Sequence, residues 1–241
     1  MKNISAIIQA RLASTRLPRK TLMTIEGESL LGHLVKRVKD CKLVDDIIIA
    51  TTTKEHDDDI VKFAKSINLK FYRGSEEDVL DRFYKTAIKY NVKSIVRVTP
   101  DCPLLDPKVA DLVVSHYVEG NYDYVSNVLS RTYPDGLDTE VFSFQTLEKA
   151  WKEAKLPSER EHVTPYIYKH PELFRLFNVK KDGEDLSWMR WTVDTAKDFQ
   201  FVNKIFSKLY HRNKIFHMEE VVRLLKESPE LMEINRGIST T

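Results

Sequence analysis

Residues 5–20 read SAIIQARLASTRLPRK, a mainly apolar run that leads directly into a loop rich in cations. Residues 5–9 predict a buried β-strand, because a short continuous run of this kind is typical of strands covered on both faces. In α/β proteins with parallel strands, ligands bind where the strands end. We therefore interpret the loop at 9–20, and the ends of later strands, as candidate functional regions.

The first half of the chain repeats this alternation of strand and helix. Further strands are predicted at 47–50, 70–72 and 95–98. Amphipathic helices are predicted at 29–40, 57–66, 78–90 and 107–119, with Ser29 as the N-cap of the first. This order, with β-branched strands between the helices, predicts a largely parallel sheet covered by helices on both faces.

The second half is less regular. Strands are predicted at 122–126, 139–142, 174–179 and 189–193. Helices are predicted at 145–154, 159–169, 196–209 and 218–226, and Pro165 is expected to disturb the second of them. Because no change of composition separates two units, we predict a single domain over residues 1–241.

Composition excludes some classes of function. The chain has 38 Lys and Arg against 36 Asp and Glu, a net charge of +2, which gives no reason to expect a nucleic-acid or membrane partner. Its two cysteines, Cys41 and Cys102, form no Cys-x-x-Cys pair. No signal peptide and no run of roughly 20 apolar residues is visible, so we expect a cytoplasmic protein.

The loop after the first predicted strand has the composition of a phosphate site. It contains four cations and two hydroxyl groups: Arg11, Arg16, Arg19, Lys20, Ser14 and Thr15. Guanidinium and ammonium groups suit the oxygens of a triphosphate. The loop lacks the glycines of the Walker A and dinucleotide patterns. A solvated basic loop would have the same composition, and its position after a buried strand leaves both interpretations open.

Two aspartates are candidates for holding a metal ion. Asp101 and Asp194 each follow a predicted strand, and carboxylate oxygens suit Mg²⁺. A turn among prolines also explains Asp101, and a helix N-cap also explains Asp194. Residues 57–59 contain the Asp-x-Asp pattern of metal-dependent glycosyltransferases, but their position at a predicted helix start favours a structural role. With the basic loop, Asp101 and Asp194 form a coherent metal–triphosphate site.

A longer pattern resembles a known family. Ala10-Arg11, followed by Ala13-Ser14-Thr15-Arg16-Leu17-Pro18 and Lys20, resembles the signature of the sugar-acid cytidylyltransferases, which include the 3-deoxy-manno-octulosonate and acylneuraminate enzymes. Gln9-Ala10-Arg11 is similar to the spore-coat polysaccharide biosynthesis branch. The resemblance runs from about Ile4 to Tyr210, and Arg19 departs from it at a position where the family usually has Gly. It implies a three-layer α/β/α, nucleotide-diphospho-sugar transferase-like (Rossmann-like) fold with a mixed, mainly parallel sheet.

The resemblance also implies roles for particular residues. The implied nucleotide contacts are Ala10, Arg11, Ser14, Thr15, Arg16, Lys20, Arg73, Asp81 and Arg82. The implied catalytic residues are Arg11, Lys20 and Asp101, the implied magnesium ligands are Asp101 and Asp194, and the implied acceptor contacts are Asp138, Glu140 and His162. Surface ion pairing is an open alternative for Asp81 and Arg82. Asp138 and Glu140 would point to the same face of a strand.

The implied reaction is a magnesium-dependent transfer of CMP. An acceptor oxygen attacks the α-phosphorus of CTP and pyrophosphate leaves. About residues 1–120 would bind the nucleotide, and about residues 121–241 would bind a sugar or sugar-acid acceptor used in cell-surface polysaccharide or glycan biosynthesis. The resemblance also implies a homodimer. The alternatives are a glycosyltransferase of related fold with a nucleotide-sugar donor, a non-catalytic nucleotide-binding subunit, and the same chemistry on a non-sugar acceptor.

Overall fold

The computed structural model describes residues 3–211 and 214–238. Its strands are Ile4–Gln9 (β1), Thr24–Ile25 (β2), Glu28–Ser29 (β3), Asp46–Thr52 (β4), Lys70–Gly74 (β5), Ser94–Val98 (β6), Tyr124–Ser126 (β7), Glu140–Ser143 (β8) and Leu176–Asn178 (β9). Its α-helices are Leu30–Asp40 (α1), Asp58–Ser66 (α2), Val79–Lys89 (α3), Pro107–Glu119 (α4), Phe144–Glu153 (α5), Pro157–His162 (α6), Pro165–Lys169 (α7), Ala196–Leu209 (α8) and Met218–Glu227 (α9). Short 3₁₀ helices lie at Lys20–Leu22, Glu55–Asp57 and Pro229–Glu233.

Seven of the strands form one sheet in the order β5-β4-β1-β6-β8-β7-β9. Strand β1 pairs in parallel with β4 and β6, and β5 pairs in parallel with β4. Strand β8 runs antiparallel between β6 and β7, and β9 is parallel to β7. The sheet is therefore mixed and mainly parallel, as predicted. Because β1 and β6 are parallel neighbours, the chain segments that follow them emerge at the same edge.

Two apolar cores lie on opposite faces of this sheet. Along β1, Ala6 and Ile8 face one core and Ile7 faces the other, which is the alternation that a strand imposes. Helices α1, α2, α4, α8 and α9 cover the first face, and α3, α5 and α7 cover the second. The three-layer prediction is confirmed. In the described part of the chain, no helix is both long and apolar enough to cross a membrane.

The strand predicted at 189–193 is wrong. Among the described residues, this segment forms one isolated bridge, between Arg190 and Asp135. Its partners are loops and not strands, so no ladder extends from it: the Trp191 N–H donates to the Asp135 carbonyl (2.6 Å), and the Val193 N–H donates to the Asp101 carbonyl (2.8 Å). The segment therefore connects the loop after β6 to the loop before β8.

Pro165 divides the helix predicted at 159–169, as expected. The division falls at Val163, whose φ of 73° ends α6, and α7 begins with Pro165. A β-branched residue rarely adopts a positive φ. The sharp change of direction leaves His162 at the last position of α6, on the side of the first-strand loop. The predicted cap of α1 is confirmed, since Ser29 Oγ accepts from the Gly32 N–H (3.0 Å).

Candidate active site

The first-strand loop, residues 10–20, is joined to the end of β4 by hydrogen bonds to Asp57. The Leu12 N–H donates to Asp57 Oδ1 (2.7 Å), and the Thr52 hydroxyl donates to the other carboxylate oxygen. Asp57 is completely buried. A buried carboxylate is stable only when its oxygens are hydrogen-bonded, and here both are. The structural interpretation of the Asp-x-Asp segment is therefore confirmed at Asp57.

Arg19 shapes this loop through its backbone. Its φ of 58° and ψ of 18° lie in the left-handed region, where glycine is favoured. Its guanidinium donates to Asp59 Oδ2 (2.7 Å) on α2, and Arg19 does not line the cavity that the loop encloses. The position where the resemblance leads us to expect Gly is therefore one where the loop requires a left-handed backbone.

The loop encloses a cavity of about 340 Å³, the loop cavity, at the carboxyl ends of β1 and β6. Seven of the predicted nucleotide contacts line it: Ala10, Arg11, Ser14, Thr15, Arg16, Lys20 and Arg82. The predicted residues Asp101, Asp194 and His162 also line it, together with Glu161. Four cations thus face three carboxylates, and the loop is not simply a solvated basic segment.

Arg82 is a buried residue of this cavity's lining. Its side chain is buried, and its guanidinium donates to the Ser75 carbonyl. Burial, together with the nearby charge of Arg11, lowers the pKa of Arg82 to about 10. The group therefore remains cationic near neutral pH, and it adds a fixed positive charge beneath the loop.

The structure does not bring Arg73 and Asp81 to the loop cavity. Arg73 donates to the carbonyls of Thr52 and Lys54, each at 2.8 Å, and so fastens the end of β4. Asp81 accepts from Trp151 Nε1 (3.0 Å) and forms an ion pair with Lys85 (2.8 Å). The ion-pair alternative for Asp81 therefore describes its contacts in this structure.

Lys20 connects the two predicted metal ligands. Its ammonium lies 3.3 Å from Asp101 Oδ2 and 2.8 Å from Asp194 Oδ1, and it donates to the Val193 carbonyl (2.8 Å). Its side chain is 13% exposed. Burial opposes the charged form, but the two carboxylates outweigh it and raise the pKa of Lys20 above its usual value. Lys20 is therefore charged at any physiological pH.

Asp194 accepts from two further cations. Arg16 lies 3.1 Å from its Oδ1, and Arg190 lies 2.9 Å from its Oδ2. Burial would raise the pKa of Asp194, but Lys20 and the two guanidiniums outweigh it and lower the pKa. The N-cap of α8 is Thr195, whose Oγ1 accepts from the Asp198 N–H (3.2 Å). The N-cap explanation of Asp194 is therefore wrong, and its carboxylate is used for charge pairing.

The chemistry of Asp101 and Asp194 fits a magnesium ion. Both carboxylates converge on one cation, the Lys20 ammonium, and oxygen ligands are those that Mg²⁺ prefers. Within residues 3–211 and 214–238, no group of three or more His, Cys, Asp or Glu side chains could hold a metal. One or two carboxylates, completed by substrate phosphates and water, is the usual protein site for Mg²⁺.

A second cavity, of about 490 Å³, adjoins the first, and we call it the aspartate cavity. Its lining includes Thr99, Asp101, Cys102, Arg131, Asp135, Asp138, Ser187, Arg190, Thr192 and Asp194. Thr99, Asp101 and Asp194 line both cavities. The two candidate metal ligands therefore stand at the boundary between a cavity with an excess of cations and one with an excess of carboxylates.

The sequence matches the family model described as cytidylyltransferase over residues 5–234. The chain belongs to the cytidylyltransferase family. It is 40% identical to an uncharacterized protein of Methanocaldococcus jannaschii, over 98% of this chain and 95% of the relative. It is 34% identical to the spore coat polysaccharide biosynthesis protein SpsF of Bacillus subtilis, over 95% and 97%. A solved cytidylyltransferase structure from Leptospira borgpetersenii is 33% identical, covers 100% of both chains and superposes with a TM-score of 0.92.

One predicted acceptor contact of this cytidylyltransferase lies in its core. Glu140 is 4% exposed, and its carboxylate accepts from the Tyr124 hydroxyl (2.6 Å) and from Arg97. The side chains of Tyr124 on β7 and Arg97 on β6 occupy the Glu140 carboxylate, and Glu140 lines neither the loop cavity nor the aspartate cavity. Asp138 precedes the strand and lines the aspartate cavity, whereas His162 lines the loop cavity. Only Glu140 lies in β8, so the strand face that Asp138 and Glu140 were expected to share is not formed.

Three charged residues of the aspartate cavity of this cytidylyltransferase were not predicted from the sequence: Arg131, Asp135 and Arg190. Asp135 lies in a Pro-Asp-Gly turn, and Arg190 was included in the wrongly predicted strand. The turn lies against the segment that carries Arg190: a Cβ on Gly136 would lie 2.8 Å from the Thr192 nitrogen, and Asp135 forms the bridge to Arg190. Burial, followed by the charge of Asp138, raises the pKa of Asp135 to about 6. The only signal in the sequence was Gly136, which follows Asp135 and marks a close approach of two backbones.

Proposed function

We propose that this cytidylyltransferase transfers CMP from CTP to a sugar or sugar-acid acceptor, with Mg²⁺ as cofactor and release of pyrophosphate. The observation that supports this proposal is the position of Asp101 and Asp194 at the boundary of the two cavities. A triphosphate suits the cationic side, and an acceptor rich in hydroxyl groups suits the carboxylate side. The reacting phosphorus would then lie between them, beside the two candidate metal ligands.

The loop cavity has the groups that a triphosphate needs. Arg11 and Arg16 are both partly exposed at its wall, so their guanidiniums can reach a phosphate. Their present partners are Glu161 (3.8 Å) and Asp194 (3.1 Å), and ion pairs of partly exposed groups are weak enough to be exchanged. Guanidiniums bind phosphate oxygens through two hydrogen bonds at once, which orients the chain of phosphates.

In the proposed reaction an acceptor hydroxyl oxygen forms a bond to the α-phosphorus and loses its proton to solvent, and the bond from that phosphorus to the leaving pyrophosphate breaks. Arg11, Arg16 and Lys20 would stabilise the negative charge that develops on the pyrophosphate. Asp101 and Asp194 would hold Mg²⁺. When bound, the ion would neutralise phosphate charge and polarise the attacking oxygen. The remaining contribution of the protein is to hold the two substrates in line.

Similarity to a spore coat polysaccharide biosynthesis protein supports a role in making cell-surface polysaccharide. Two other functions would be distinguished by what is released from the nucleotide. A glycosyltransferase would release a nucleoside diphosphate from a nucleotide-sugar, and a binding subunit would bind CTP without turnover. The cation pairs at Asp101 and Asp194 favour an enzyme that handles a triphosphate and a metal.

The test is pyrophosphate release with each of the four common ribonucleoside triphosphates, with and without Mg²⁺, over a panel of ulosonic acids, neutral sugars, amino sugars and sugar phosphates. We expect release with CTP and Mg²⁺ and one class of acceptor. Asp101→Asn should abolish it. Asp123→Asn is the matched control, because Asp123 pairs with Arg175 (3.1 Å) away from both cavities. Pyrophosphate release that is unchanged in Asp101→Asn would contradict the proposal.

A further inference from the structure

We propose that the side-chain amide of Gln9 selects cytosine over uracil by donating a hydrogen bond to the ring nitrogen N3 of the base. This inference rests on the proposed function and concerns the choice of its nucleotide. Both bases have a carbonyl oxygen next to N3, but N3 accepts a hydrogen bond in cytosine and carries a hydrogen in uracil. A donor held at that position therefore separates CTP from UTP, because uracil would leave it facing another donor.

The orientation of the Gln9 amide is set by Arg97. Gln9 is the last residue of β1, and Arg97 lies on the neighbouring parallel strand β6. The Arg97 Nε–H donates to Gln9 Oε1 (3.3 Å). A guanidinium has donors and no acceptor, so only the amide oxygen can face it. The NH₂ group of Gln9 is therefore directed away from Arg97 and remains available to a ligand.

Arg97 is itself held in place by an ion pair below the surface. Its Nη1 donates to the Glu140 carboxylate, which also accepts from the Tyr124 hydroxyl (2.6 Å). The side chains of Arg97 and Glu140 are 14% and 6% exposed. Burial disfavours the charge of Arg97, but Glu140 outweighs burial and raises the pKa of Arg97. Arg97 therefore stays a donor near neutral pH, and Arg97 and Glu140 are positioning residues for the Gln9 amide.

Gln9 lies on the side of the loop cavity that suits a base. In the proposed function the cations of the loop and the two candidate metal ligands hold the phosphates, which leaves the side formed by α3 for the base. Val79 and Arg82 of α3 line the cavity, as Gln9 does. Ile7 packs in the same apolar core as Val79, so Gln9, two residues later on β1, lies on the face of the sheet that α3 covers. Val79 offers an apolar contact for the flat face of a base, and Gln9 offers a donor for its edge.

The test compares two nucleotides that differ in the base alone. Binding of the α,β-methylene analogues of CTP and UTP is measured by titration calorimetry with Mg²⁺, so no acceptor is needed. We expect the unaltered protein to bind the CTP analogue at least about tenfold more tightly than the UTP analogue. Gln9→Met removes the donor, and the ratio of the two affinities should fall to within about threefold.

Two further variants accompany Gln9→Met. Gln9→Glu keeps the shape of the side chain but has no donor, so the preference for the CTP analogue should fall in this variant as well. Gln145→Met is the matched control, because Gln145 is exposed on α5 and lines neither the loop cavity nor the aspartate cavity. Its ratio of affinities should equal that of the unaltered protein.

The positioning role of Arg97 and Glu140 is tested with Gln9 left intact. Arg97→Met combined with Glu140→Gln removes both charges of the ion pair together and frees the Gln9 amide to turn over. We expect the ratio of affinities to fall in this double variant. Glu140→Gln alone, which weakens the hold on Arg97, should give a smaller change in the same direction. A purely structural role would weaken the binding of both analogues by the same factor, which would overturn the positioning role.

Two results would overturn the inference about Gln9: an unaltered protein that binds both analogues equally, or a Gln9→Met protein that keeps the full preference for the CTP analogue. Failure of the proposed function gives a different result. In that case neither analogue binds to the unaltered protein in a magnesium-dependent way, and the inference about Gln9 falls with it.

Discussion

Replacing Lys20 with methionine removes the ammonium that lies between Asp101 and Asp194 and keeps most of the side-chain stem. We expect the variant to bind a divalent cation without nucleotide, since the cation no longer competes with a resident charge. In the unaltered protein the ammonium must move away first, and a bound phosphate gives it a new partner. Metal and CTP are therefore expected to bind cooperatively.

The contacts of Lys20 set the size of this effect. Its ammonium is 2.8 Å and 3.3 Å from the two carboxylates and is mostly buried. A single pair of charges 4 Å apart is worth about 4 kcal/mol at the effective dielectric of a protein surface, and burial of the ammonium offsets part of this. A net competition of about 3 kcal/mol corresponds to roughly 100-fold in metal affinity.

The assay is a titration with Mn²⁺ followed by electron paramagnetic resonance, with and without CTP. The unaltered protein and Lys20→Arg, which keeps the charge, should bind Mn²⁺ weakly until CTP is added. Lys20→Met should bind it roughly 100-fold more tightly in the absence of CTP. Equal affinities for the unaltered protein and Lys20→Met, without nucleotide, would refute the reasoning.

Four further predictions follow from single contacts. Lys20→Ala should lower the rate of pyrophosphate release about 10²-fold at saturating CTP, as loss of one preorganised donor does, and a fully active variant would contradict a phosphate role for Lys20. Asp57→Ala should reduce the free energy of unfolding by about 3 kcal/mol, because the Leu12 N–H and the Thr52 hydroxyl lose a buried partner; an unchanged urea midpoint would contradict this. Gly136→Ala should cost about 2 kcal/mol or more, because its Cβ would lie 2.8 Å from the Trp191 carbonyl carbon at a φ of 114°, and thermal unfolding measures the loss. The pKa of Asp135 is raised from 3.8 to about 6, so the folded state binds more protons than the unfolded state between these two pH values. The free energy of unfolding should therefore fall as the pH rises through about 6. Asp135→Asn should flatten that part of the plot of unfolding free energy against pH.

The sequence was sufficient for the parts of the molecule that depend on local pattern. The alternation of buried strands and amphipathic helices predicted the three-layer fold, because each element of the first half shows its own periodicity. The loop after β1 and Asp101 after β6 were found from their positions at strand ends. That reasoning works because parallel neighbouring strands bring their carboxyl ends to one edge of the sheet. Residues that follow these strands in the sequence therefore lie close together in space.

The missed part of the site depends on contacts between distant segments. Arg131 and Asp138 belong to one loop, but Arg190 reaches Asp135 from a segment with no regular structure of its own. The strand pattern was misleading there: it suggested a strand at 189–193, and it put Asp138 and Glu140 on one strand face although the Glu140 carboxylate is occupied by Tyr124 and Arg97. The two-residue period of a strand indicates on which face of the sheet a side chain lies, but not what contacts the side chain there.

The same distinction explains why the acceptor is harder to infer than the nucleotide. The side chains expected to bind the triphosphate lie mostly in one continuous loop, so a short sequence pattern contains most of them. The groups of the aspartate cavity are charges that pair across segments, and the net effect depends on which guanidiniums are already occupied. Arg131 pairs with Asp138, and Arg190 pairs with Asp135 and Asp194, so the role of each guanidinium depends on contacts that the sequence pattern does not show. The chemistry of the acceptor side therefore depends on which of these ion pairs persist when the substrates bind, and no single residue of the sequence reveals it.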